Sequence, residues 1–125
     1  MIKLFEDFSN IEDVKETLFN YAVETYNTDL VDFFLNRGYD IDTDDSLQLA
    51  MRNDKMFRHM LKNGADVDLL YIDSRLRDIN IQKALIDYNH AMFIHKNVGF
   101  NSRLSDDPKY ANTIETVKDM EKYNL

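Results

Sequence analysis

The chain has 125 residues with 44% apolar content, no cysteine, one proline and three glycines, which fits one domain and excludes disulfides, thiolate metal sites and a turn-rich all-β sandwich. Its 15 basic and 23 acidic residues leave a net charge of −8, which opposes direct binding to nucleic acid or an anionic membrane and favours a partner with a basic surface. No run approaches the length of a membrane span, and Lys3, Glu6 and Asp7 interrupt Ile2, Leu4, Phe5 and Phe8, so no signal-peptide core forms and the expected location is the cytoplasm of its own or a host cell.

Ser9-Asn10-Ile11-Glu12 fits a capping box and predicts a helix start, with Ile2 to Phe8 covering the end of the apolar layer. From Thr17 a pattern emerges: Phe19 and Ala22 on a first helix, Asn27 in a turn, then Leu30 and Val31 opening a second helix that ends at Phe34-Leu35-Asn36-Arg37-Gly38 and exits through Tyr39 to Asp42. The order returns with Leu47 and Ala50, then Met56, Phe57, Met60 and Leu61, then Gly64 and Ala65-Asp66-Val67-Asp68. A glycine just after a helix supplies the left-handed cap that residues with a side chain resist.

A third copy has Ile81 and Ala84, then Phe93 to Lys96, with Asn97 standing at the glycine position and Val98 to Asn101 as the exit. The rival register makes Leu69 to Arg75 one helix and Ile79 to Tyr88 the next, capped by Asn89, but sets Arg75 where alanine should pack. The first is preferred because it keeps Ala84 inside. After Ser102, Asp107 and Pro108 announce a last helix carrying Tyr110, Ile114, Val117 and Met120, with Asn124 near the terminator position.

This order of Leu-x-x-Ala helix, turn, second helix and Gly-Ala-Asp-Val-Asn exit resembles the ankyrin repeat, although the Thr-Pro-Leu-His opening is absent. The resemblance implies an all-α solenoid of three to four stacked helical hairpins over residues 1–125. It consists of an N-terminal cap at 1–16, repeats at 17–42, 45–68 and 78–101, and a C-terminal cap or worn repeat at 106–125. The terminator positions Gly38, Gly64 and Asn97 lie 26 and 33 residues apart, against a typical period of about 33, so the finger between the first two copies is trimmed. The resemblance also implies recognition of another protein, without an enzyme's catalytic site or cofactor. Compact repeats rich in Asn, Asp, Lys and Tyr look similar to ankyrin-like proteins of viruses and intracellular bacteria, which implies inhibition of a host or defence factor.

Chemistry-bearing motifs are sparse. Asp40-Ile41-Asp42-Thr43-Asp44 starts like a calcium loop but meets Asp45 where glycine is needed and Met51 where a bidentate glutamate is needed. His59, His90 and His95 lack the spacing of a helical metal pair, and the serines lack a nucleophile elbow. No catalytic, cofactor or metal residue is assigned. The candidate partner surface instead joins an acidic ridge of Asp42, Asp44, Asp45, Asp66 and Asp68 to Tyr39 and the apolar connection Leu69, Leu70, Tyr71 and Ile72. Phe19, Tyr21, Phe33, Phe34 and Phe57 are expected to pack. A second reading takes the ridge as an acidic mimic of nucleic acid that blocks a nuclease or other DNA-binding protein. Sequence leaves the partner and the oligomeric state open.

Overall fold

Side-chain oxygens of asparagine and aspartate start four of the seven described helices. The computed structural model describes residues 11–43 and 45–123, so the Ile2 to Phe8 cover, the Ser9 cap, Asp44 and the Asn124 terminator lie outside the described residues. Asn27 accepts from the Leu30 N–H at 3.0 Å, Asn53 from Met56 at 2.9 Å, Asp78 from Asn80 at 2.8 Å, and Asp107 from Lys109 at 3.0 Å. Each bond satisfies a donor that the helix itself leaves without a partner.

The resulting elements are α1 (Ile11–Glu24), α2 (Thr28–Leu35), α3 (Ser46–Ala50), α4 (Asp54–Lys62), α5 (Ile79–Asp87), α6 (Ala91–Asn97) and α7 (Pro108–Lys122). Short 3-10 turns at Val67–Leu69, Ser74–Arg77 and Ser102–Asp106 fill the connections. Among the described residues all regular structure is helical, in agreement with the all-α expectation.

Helix ends are set by residues in the left-handed region: Tyr26 at φ 59°, Gly38 at 85°, Gly64 at 87°, Asn89 at 71° and Gly99 at 80°. The backbone after the first four repeats one pattern. Asn27 N–H reaches back to Ala22 O at 2.9 Å, Tyr39 to Phe34 at 3.1 Å, Ala65 to Met60 at 3.1 Å and His90 to Leu85 at 2.8 Å, whereas Gly99 itself donates to Ile94 O at 2.8 Å. These reversed bonds close carbonyls at the helix end and turn the chain out of the helix.

The third terminator differs from expectation. Asn97 is the last residue of α6, its side-chain amide donating to Phe93 O at 2.8 Å, and the left-handed residue is Gly99. Asn89, the cap of the rival register, ends α5. The segment Leu69 to Arg75 forms no α-helix, and Ala84 is fully buried, as the preferred register required.

Packing runs between helices one or two apart along the chain. α1 lies on α2 and α3, α3 on α4, α4 on α5, α5 on α6 and α7, and α6 on α7. Most of these helices have five to nine residues. Helices shorter than about 12 residues are marginal alone, so their stability comes from one continuous core that includes Phe19, Val31, Met56, Phe57, Met60, Leu85, Ile94 and Leu104. Burial of each large apolar side chain contributes about 1.5–3 kcal/mol.

The aromatic expectations divide. Phe19, Phe34 and Tyr39 pack at 5.0 to 6.0 Å between ring centres. Phe33 and Tyr21 face solvent, with the Arg37 guanidinium 3.6 Å above the Phe33 ring. Their positions on α2 and α1 fall just outside the buried stripe.

Two buried glutamines join the helices to the connections that follow. Gln48 Oε1 accepts from Tyr71 N–H at 2.8 Å, and its Nε2 donates to Asp73 Oδ2 at 3.3 Å. Gln82 Oε1 accepts from Asn101 N–H at 2.7 Å, while its Nε2 donates to Leu76 O at 2.7 Å and Gly99 O at 3.1 Å. Leucine at position 82 would keep the volume but strand one donor and two acceptors. Gln82→Leu should therefore lower unfolding stability by about 2 kcal/mol or more, read as a lower urea midpoint.

Candidate interaction surface

The connection from Val67 to Asp78 carries three large exposed apolar side chains within four residues. Val67, Leu70 and Leu76 turn inward and anchor it. Leu69, Tyr71 and Ile72 turn outward, at 54%, 58% and 52% exposure. Their backbone is fixed from below by Gln48, and the Tyr71 hydroxyl donates to Asp45 Oδ1 at 2.8 Å. Leu69 lines a narrow crevice with Asp42, Asp45 and Gln48, so the apolar cluster and the acidic edge adjoin.

The structure thus sorts the sequence-expected surface residues. Leu69 adjoins Asp42 and Asp45, Tyr71 bonds to Asp45, and Ile72 follows exposed on the same connection. Leu70, at 5% exposure, belongs to the core and offers nothing to a partner. Tyr39 is half-buried against Phe19 and Phe34 and lines an open groove with Phe33 and Arg37. The Leu70 correction has a physical cause: in an irregular connection neighbouring side chains point in directions set by tertiary contacts.

The aspartates also hold the local backbone. Asp40 Oδ1 accepts from Asp42 N–H at 2.9 Å, Asp42 Oδ1 from Asp66 N–H at 2.8 Å, and Asp66 Oδ1 from Asp68 N–H at 3.0 Å. The Asp42 bond spans two successive exits and ties them edge to edge. Asp73 is held below its ordinary carboxylate range by hydrogen bonds from the Arg75 side chain and backbone.

On the other side of this exit, residues Gly64 to Asp68 face α6 across a groove of about 650 Å³ whose lining includes His90, Met92, Phe93 and Lys96. Burial pushes the His90 pKa down, against the opposing pull of Asp68 and Asp66. His59 Nε2 lies 2.7 Å from Asp32 Oδ1, joining α4 to α2, and His95 stacks on Phe100. Among the described residues no group of three His, Cys, Asp or Glu side chains could hold a metal ion. No described helix is long and apolar enough to cross a membrane.

Sequence reasoning missed Gln48, Gln82 and Asp87. The glutamines could have been found by aligning copies on Ala50 and Ala84, since each precedes its alanine by two. Asp87 carried no such signal, because its partners Arg58, Lys109 and Tyr110 come from α4 and α7. Arg58 Nη1 lies 2.7 Å from the Asp87 carboxylate, Lys109 Nζ 3.1 Å and the Tyr110 hydroxyl 3.1 Å.

Burial alone would raise the Asp87 pKa, but those three hydrogen bonds outweigh it and hold the carboxyl below its usual value of 3.8. A carboxyl lowered in the folded state contributes stability that is complete above its unfolded pKa and lost as pH falls through the folded one. Asp87→Asn should therefore destabilise the chain by about 1 kcal/mol at neutral pH, with Arg58 and Lys109 left to solvent. The difference from the parent chain should shrink below a pH of about 4, measured by urea titration across that range.

Leu69→Asp with Ile72→Asp should change stability by no more than about 0.5 kcal/mol, whereas Leu70→Ala should cost about 3 kcal/mol; thermal or urea melts separate the two. Compared with protein-family models, curated proteins and solved structures, the chain matches none.

Proposed function

We propose that this chain is a small ankyrin-like solenoid that binds another protein and has no catalytic role. Several features support the ankyrin-like part. Helix pairs are followed by the left-handed glycines Gly38, Gly64 and Gly99, and the helices pack on others one or two elements away along the chain. Gln48 and Gln82 occupy the third position before alanine's successor in Leu47-Gln48-Leu49-Ala50 and Ile81-Gln82-Lys83-Ala84, where the ankyrin pattern Leu-His-x-Ala has histidine. Both amides bond to the following connection, a tie between one unit and the next.

The observation that carries the binding reading is the exposure of Leu69, Tyr71 and Ile72 on a backbone already fixed by Gln48. A cluster of large apolar side chains left in water favours association, and a pre-ordered backbone lowers the entropy cost of docking. Tyrosine with an apolar body and a polar tip suits the centre of such an interface. The adjoining Asp42 and Asp45 favour a partner with a basic rim. We infer a role in the cytoplasm of the producing cell or its host, as an inhibitor encoded by a virus or an intracellular bacterium and aimed at a host or defence factor.

The acidic-mimic reading has less support. Asp42 and Asp66 accept hydrogen bonds from neighbouring backbone, so their spacing follows from turn construction. The two readings part experimentally. Capture from lysate of the source or host cell, followed by mass spectrometry, should recover a protein that the Leu69→Asp, Ile72→Asp variant loses at least about tenfold, a difference of 1.4 kcal/mol. Equal capture by parent and variant would remove this surface from the proposal. Retention of the partner as salt rises from low to moderate strength separates apolar docking from mimicry.

A further inference from the structure

Asn63 is the chain's sole asparagine followed by glycine, and this pair forms the terminator of α4. Glycine lacks the Cβ that would crowd an approaching side chain, so its amide nitrogen can reach the side-chain carbonyl of the preceding asparagine. Both residues are exposed to water. We propose that Asn63-Gly64 is a latent self-modification site, held shut by the cap that it forms.

The reaction is internal to the chain. The Gly64 backbone nitrogen gives its proton to solvent base and bonds to Asn63 Cγ. The tetrahedral adduct takes a proton from solvent on the side-chain nitrogen, re-forms its carbonyl as the Cγ–nitrogen bond breaks to release ammonia, and leaves a five-membered succinimide. Water then opens the ring at either carbonyl, giving aspartate or isoaspartate at position 63. No oxidant, metal or other protein is needed.

In the fold both reacting groups are engaged elsewhere. The Gly64 N–H donates to Leu61 O at 3.0 Å, which occupies the attacking nitrogen. The Asn63 side-chain amide donates to His59 O at 2.8 Å, which holds the electrophile over the last turn of α4. Ala65 N–H bonded to Met60 O at 3.1 Å fixes the backbone on the far side of the pair. Reaction therefore requires the end of α4 to open, and the modification records that opening.

The product cannot rebuild the same cap. An aspartate loses the donor to His59 O and puts negative charge at the C-terminal end of a helix, where the dipole disfavours it. Isoaspartate adds a backbone atom just before the left-handed residue. That atom would shift the exit whose Asp66 N–H bonds to Asp42, so damage at Asn63 reaches the acidic edge of the candidate surface.

Full-length protein incubated at mildly alkaline pH, folded or in concentrated urea, then digested for peptide mass spectrometry, tests this. In urea, conversion at Asn63 should outrun every other asparagine, and Gly64→Ala should suppress it. In the folded chain, the rate at Asn63 should fall at least about tenfold. Asn63→Asp should lower the urea midpoint of the folded protein. Equal rates in folded and unfolded chains would overturn the lock, and a rate at Asn63 in urea no greater than at the other asparagines would overturn the site. An unchanged midpoint for Asn63→Asp would overturn the proposed damage to the cap.

Discussion

The left-handed residue at the end of each helix pair is the constraint on which the remaining structure depends. At Gly64 the backbone turns at φ 87°, and Ala65 reaches back to Met60. This turn delivers Asp66 to the Asp42 carboxylate of the preceding exit. Without it the short helices would have no fixed direction in which to stack. None of them has the length to be stable in water without that stacking.

Stacking in turn decides what the charges do. The excess of acidic residues would repel itself if it were spread freely over the surface. Part of it is used locally, as oxygens that accept backbone N–H groups at Asp40, Asp42, Asp66, Asp73 and Asp78. Another part is used over long range, where Asp87 gathers Arg58 and Lys109 between α4, α5 and α7. An acidic composition is therefore largely a construction material here, and the chemistry offered to a partner comes from the apolar side chains beside it.

The two glutamines connect construction with recognition. Gln48 spends its carbonyl on Tyr71 N–H and its amide on Asp73, which fixes the connection so that Leu70 points in while Leu69, Tyr71 and Ile72 point out. Gln82 does the same service at Asn101 for the next connection, which buries Leu104 and leaves Ser102, Arg103 and Ser105 outside. The same device thus presents apolar side chains to water at one connection and polar ones at the other. The terminator at Asn63 and Gly64 leads into the apolar one.

Much of this architecture was legible in the sequence because its causes act over a few residues. Asn27, Asp107 and Pro108 mark helix starts through bonds to N–H groups two or three positions away, and Gly38 and Gly64 mark ends through their own backbone freedom. The repeat resemblance carried by these residues implied an all-α chain, and its alanine positions Ala22, Ala50 and Ala84 are buried. The choice between Asn97 and Gly99 as terminator was not legible, since either residue tolerates the left-handed region. Nor could the sequence distinguish Leu70 from Leu69 or free Tyr39 from its aromatic neighbours. Those directions come from contacts with Gln48, Phe19 and Phe34, some 5 to 23 residues away, in segments without the periodicity that reveals a buried face.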